Sequence, residues 1–154
     1  MNQTNEFEYF ALPEKIVSAS THKEFLMKVF NCTKGTGRKS IWWYNDDIAV
    51  WMVCFEGVND NWKNRTVKID GKEYIREKYI GKEPNPTWNG KPITLNNVEG
   101  PLRLAVAIRK NAGTVTYNVL GLYLLDIELS EDLNRVYKKV DLNVAQIMIP
   151  EAFL

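Results

Sequence analysis

"LRLAVAIRKNAGTVTYNVLGLYLLDIEL", residues 102–129, decides the fold class. Apolar side chains alternate with others over 102–109, the period of a strand with one buried face. Asn111-Ala112-Gly113 supplies turn chemistry, and the chain resumes as a long run rich in β-branched and aromatic residues over 114–129. That run is long for one strand, and Gly121 within it marks a bulge or bend.

The rest of the chain extends the pattern. Segments 41–44 and 48–55 flank the turn triplet Asn45-Asp46-Asp47. Segments 66–69 and 72–80 flank Asp70-Gly71, the strongest short hairpin signal present. A loop rich in Pro, Asn and Gly, "GKEPNPTWNGKP" at 81–92, leads to a short strand at 93–95. Residues 135–142 alternate again, and 147–149 form a further strand. One stretch is helical. Thr21 and Glu24 make a capping box, and Phe25, Leu26, Val29 and Phe30 share a face up to about Asn31. Residues 12–18, after Pro13, are expected to add a helical turn. The prediction is one α+β, mainly β, domain over 1–154. Its antiparallel strands curl into a single sheet or barrel with a helix near the N-terminus.

Composition narrows the function classes. The 154 residues carry 20 Lys and Arg against 19 Asp and Glu, a net charge of +1. A protein held to nucleic acid by bulk charge shows a larger basic excess, so such contact would need a local patch. Aromatic residues make up 12%, with five Trp, and rings of that size fill a core or form a recognition surface. Cys32, Cys54 and His22 lack the number and spacing of a zinc site. The opening MNQTNEFEYF is acidic where a signal peptide is basic, and no apolar run has the length of a membrane span. A cytoplasmic protein without metal, cofactor or membrane partner is expected.

Three basic or aromatic segments are candidate sites. Lys34, Arg38 and Lys39 lie in a glycine-containing loop beside Trp42 and Trp43. The spacing and the helix-before-strand order rule out a Walker A loop. The loop is either a backbone-phosphate clamp with stacking rings, or a solvated connection into a core strand. The hairpin segment 63–82 sets Lys63, Arg65, Lys68, Lys72, Arg76, Lys78 and Lys82 against Asp70, Glu73 and Glu77. These cations either track a phosphate backbone or guard an exposed strand. Trp62, and Trp88 with Asn89, sit among turn-forming residues, where an indole either stacks on a base or sugar or folds back to plug the sheet. Asp70-Gly71-Lys72, with Glu56 upstream, matches the spacing of a nuclease centre, but the hairpin turn already accounts for Asp70-Gly71. His22 has no Ser or Cys partner, and no catalytic residue is assigned.

The C-terminal half carries a family likeness. "TYNVLGLYLLDIELSEDLNRVYKKVDL", residues 116–142, resembles SRA-like and other PUA-like β-barrel domains through Tyr117, Gly121, Tyr123, Asp126, Val136, Tyr137 and Lys138. The resemblance implies nucleic-acid binding, DNA before RNA, often of a modified base and often as the recognition part of a restriction system. The expectation is a non-catalytic DNA-binding module reading a modified or flipped base, with a pocket rimmed by Trp42, Trp62 and Trp88. A protein partner or fused effector domain belongs to the same expectation. Two other classes stay open: a small-ligand or carbohydrate-binding β-barrel, and a phage or mobile-element protein-interaction factor.

Overall fold

The computed structural model describes residues 5–30, 41–43, 48–55, 58–59, 61–88, 90–98, 100–111 and 113–140. The deciding stretch forms β10 (Leu102–Asn111) and β11 (Thr114–Leu125), paired antiparallel. Their register slips at one place: Ala105 faces Gly121, but Val106 faces Val119. Leu120 is therefore the extra residue of a bulge, and Gly121, at φ 120°, takes a backbone conformation that a side chain would disfavour.

Outward from this pair the sheet grows in both directions. β12 (Asn134–Val140) lies on β11, followed by β7 (Lys72–Tyr79), β6 (Trp62–Ile69) and β1 (Glu6–Glu8). On the other side come β4 (Ala49–Val53) and β3 (Ile41–Trp43), while β5 (Val58–Asn59) adds to β6. The expected mainly β fold with a single helix is present, as one sheet that does not close on itself among the described residues. The pairings are antiparallel except that of β4 with β10, which is parallel.

Three sequence expectations are corrected. Residues Lys15–Ser18 are not helical; they form β2, antiparallel to β11, because β12 leaves that length of β11 free for pairing. The expected strand at 93–95 is instead a connection into a 3-10 turn, Leu95–Asn97. The Pro-rich loop contains a small separate hairpin, β8 (Thr87–Trp88) with β9 (Lys91–Pro92). The turn triplet 45–47, Cys32 and the expected strand at 147–149 lie outside the described residues. The capping box is present in altered form. Thr21 Oγ1 accepts from the Glu24 amide at 3.1 Å, but Glu24 reaches back to Ser20 and opens α1 (His22–Phe30). Those Ser20 hydrogen bonds, and then Lys28, hold the Glu24 carboxyl at about 2.

Alternation gives the sheet two apolar faces. On the outer face Val50, Met52, Leu104 and Val106 pack under α1 through Phe25, Leu26 and Val29. On the inner face Trp51, Ala105, Tyr123 and Tyr137 form a second core. The rings of Trp51 and Tyr137 are 5.1 Å apart although their strands, β4 and β12, are three positions apart in the sheet. A flat sheet would separate those strands by about 14 Å. The sheet therefore curls inward over this face. Residues 9–14 then cross it as a strap: the Tyr9 amide bonds Thr66 O on β6, the Glu14 amide bonds Val119 O on β11, and Ala11 packs on the inner core between them.

Candidate nucleic-acid interface

The β6–β7 hairpin sets the geometry. Asp70 and Gly71 both take positive φ, 51° and 82°, as a two-residue hairpin turn requires, and this fixes the register of the two strands. Lys63 therefore faces Lys78, and Arg65 faces Arg76. The alternate positions put Trp62 opposite Tyr79 and Asn64 opposite Glu77 on the inner face. β12 continues the latter row, with Arg135 beside Glu77.

The outer side of this half-sheet is cationic. Lys63 and Lys78 face each other with no carboxylate bridging them among the described residues, and Lys138 stands beside Tyr74 on the same face. Arg76 is committed to Glu6, with a further hydrogen bond to Asn134 Oδ1 at 2.6 Å. Arg65 donates to the carbonyls of Phe55 and Asn64, which holds the adjoining loop. Lys68 points the other way: its ammonium lies 5.1 Å from the centre of the Tyr9 ring, under the strap. Burial, above other causes, raises the pKa of Tyr9 and Tyr123 and so keeps both hydroxyls protonated.

The inner face holds a set of polar groups that apolar core packing does not need. Arg103 is 1% exposed, with its guanidinium 4.6 Å from the ring centres of both Trp51 and Tyr137. Its Nε donates to Gly100 O at 2.8 Å, and its Nη1 lies 3.4 Å from Glu77 Oε2. Tyr137 reaches Glu77 Oε1 at 3.4 Å, and Arg135 Nε approaches the same oxygen at 3.6 Å. That last contact is an ion pair without hydrogen-bond geometry, since Arg135 Nε and Asn64 Oδ1 are buried with no hydrogen-bond partner. The Arg135 guanidinium lies 4.5 Å over the Trp62 ring, and Trp62 meets Tyr79 edge-on at 5.5 Å. Burial, partly opposed by Arg103, pushes the Tyr137 hydroxyl up to about 12. Planar cations, indoles and unsatisfied polar atoms, the groups that a flat, hydrogen-bonding ligand would need, are thus gathered on one face of the sheet.

The aromatic residues expected to share one rim do not all share a face. Trp42 pairs with Val50 and packs half-buried on the core under α1, whereas Trp62 begins β6 on the inner face. A strand period of two separates them. Trp62 is thus a strand residue rather than a loop one, and Trp88 is placed at the tip of the β8–β9 hairpin. Lys34, Arg38, Lys39, Asn89 and Glu56 lie outside the described residues. Asp70 is exposed at its turn and accepts from the Asn5 amide, and no group of three His, Cys, Asp or Glu side chains able to hold a metal occurs among the described residues. A cleft of about 350 Å³ runs along the outer side of α1, lined by Thr21, Lys23 and Met27, away from this site. No helix among the described residues is long and apolar enough to cross a membrane.

Sequence reasoning missed Asn64, Glu77, Arg103, Arg135 and Tyr137 as a group. One signal was available: Arg103 has the same alternation parity as Ala105 and Ala107, so it had to be buried with them.

No protein-family model matches the chain. No curated protein matches it by sequence. Among solved structures it is similar to the 5-hydroxymethylcytosine-specific restriction enzyme AbaSI, with a TM-score of 0.55 and 20% identity. The likeness is one of fold. It covers 81% of this chain and 38% of the AbaSI chain, so the chain spans well under half the length of the enzyme it matches.

Proposed function

We propose that this chain is a non-catalytic DNA-binding module of the SRA/PUA-like type that reads a modified cytosine within a restriction or defence system. The observation that carries this reading is the fold shared with AbaSI over most of the chain. The sequence likeness of residues 116–142 to SRA-like domains points the same way. A base turned out of its helix needs a stacking surface, polar groups for its edge and cations for the distorted backbone. Trp62 and Tyr79 offer the first and Asn64, Glu77 and Arg135 the second, all on the inner face; Lys63 and Lys78, on the outer face of the same strands, would meet the backbone from that side. In this proposal Arg65, Lys68 and Arg76 hold the hairpin and strap that shape the site. Lys34, Arg38, Lys39, Trp88 and Asn89 are further candidates for DNA contact by residue type alone.

Fluorescence anisotropy with plain, methylated and hydroxymethylated duplexes tests the reading. Binding should be tightest to a modified duplex and should weaken steeply with salt, because phosphate contacts release counterions. Lys63→Ala and Lys78→Ala should each lower the slope of log affinity against log salt by about 0.9, with the preference among duplexes unchanged. Absence of binding to every duplex at low salt would remove the proposal. Salt-independent binding of a neutral sugar would favour a carbohydrate-binding role instead.

A further inference from the structure

The inner-face groups are closed to solvent. Asn64 is 5% exposed, Arg135 7% and Tyr137 fully buried, so nothing the size of a base reaches them unless a covering segment moves. The segment that moves at least cost is the arm formed by β1 and the first part of the strap, residues 5–12. β1 is a three-residue strand at the edge of the sheet, and all three residues are exposed. The arm also adjoins the buried groups: the Tyr9 amide bonds Thr66 O at 3.1 Å, two positions along β6 from Asn64.

The closed arm is poorly satisfied. The Tyr9 and Tyr123 hydroxyls are buried with no hydrogen-bond partner, and opening would give both to water. Phe10 and Leu12 are 86% and 85% exposed, so closure hides Tyr9 and Ala11 yet leaves two large apolar side chains in water. The latch has a fallback. Arg76 donates to Glu6 on the arm but also, at 2.6 Å, to Asn134 Oδ1 on β12, so its guanidinium keeps a partner when the arm leaves. Asn5 exchanges hydrogen bonds with Asp70 at an exposed turn, where water replaces them readily. The far end is held more firmly: after Pro13, the Glu14 amide bonds Val119 O at 2.6 Å and its carboxylate lies 3.3 Å from Lys139 Nζ. Resting on the function proposed above, we propose that residues 5–12 are a gate. The arm swings about Pro13 as a unit while β2 and the rest of the sheet stay folded, and its opening admits a base to the inner face. Such lids are drawn from the least stable part of a fold, which an edge strand with unmet hydrogen bonds provides.

Amide hydrogen exchange of the full chain tests the opening without DNA. The Tyr9 amide, and the Asp70 amide that donates to Asn5 O, should exchange about 10-fold or more faster than the paired amides of β10 and β11, with little dependence on low urea. Exchange of these amides at the rate and urea dependence of β10 and β11 would mean that the arm leaves only on global unfolding, and would overturn the gate. Stopped-flow association with the tightest-binding of the three duplexes then tests admission. Glu6→Gln removes the charge that latches the arm to Arg76 and should raise the association rate by about 2- to 5-fold, the worth of a part-exposed ion pair. Glu8→Gln makes the same charge change on β1 without touching that pair and should leave the rate near that of the natural chain. Equal rates for all three chains, or equal acceleration by both variants, would overturn the gating role alone. Absence of duplex binding by the natural chain and both variants would remove the DNA reading, while the exchange pattern by itself still upholds or overturns the opening.

Discussion

Arg103 lies almost fully buried between strands, with Trp51, Tyr137, Gly100 and Glu77 around its guanidinium. Burying charge is costly, and breaking such a pair by removing one partner costs more than the pair contributes. Arg103→Met would leave Glu77 to Arg135 and Tyr137, and stability measured by urea unfolding should fall by about 3 kcal/mol, the low end for a buried pair that keeps one cation. The tyrosines add a pH dependence. Tyr137 is held neutral up to about 12 against 10.0 for a free side chain, by burial first, and burial likewise raises Tyr9 and Tyr123. A raised acid is protonated in the fold where the unfolded chain would already ionise. Its stabilising effect is therefore complete below pH 10 and lost as pH rises through about 12. The phenolate absorbance contributed by Tyr9, Tyr123 and Tyr137 should accordingly appear together with unfolding in alkali. At this scale the sequence was informative about residue type but not about neighbours. Arg135, Tyr137 and Glu77 are distant from Arg103 in the chain, and only the register of four strands brings them together.

The β6–β7 hairpin was legible because its cause is local: Asp70-Gly71 takes the two positive φ values that a tight turn needs. Gly71→Val should cost about 1–2 kcal/mol in thermal or urea unfolding, since a β-branched residue is strained at φ 82° although nothing crowds the site. α1 was legible for the same reason, through the Thr21 cap. β2 was not. Lys15–Ser18 is too short to show a period, and its strand character comes from β11, about a hundred residues away. The parallel pairing of β4 with β10 was equally hidden, because strand patterns do not record direction. Trp62 was misplaced because the Asn residues around it resemble a loop, although β6 begins on that residue.

For the whole molecule, the curled sheet leaves its inner face to be covered by the strap, whose Tyr9 and Ala11 face inward while Phe10 and Leu12 are exposed. A chain beginning at Glu14 would lose β1 and the strap. It should be less stable by about 2–3 kcal/mol, the order of one buried aromatic and its neighbours, and should bind a hydrophobic dye at the uncovered face. Sequence reasoning reached the sheet, its bulge at Gly121 and a basic hairpin, while the inner polar row lay beyond it because curvature is a property of many strands at once. The strap also bears on biosynthesis. The ribosome makes β1 and β2 before their partners β6 and β11, in the case of β2 and β11 by roughly a hundred residues. At about 5–20 residues per second, β2 would wait roughly 5–20 s for β11. During that interval the apolar Phe10, Leu12 and Ile16 are open to holdase chaperones, so this segment is made long before the strand that fixes it.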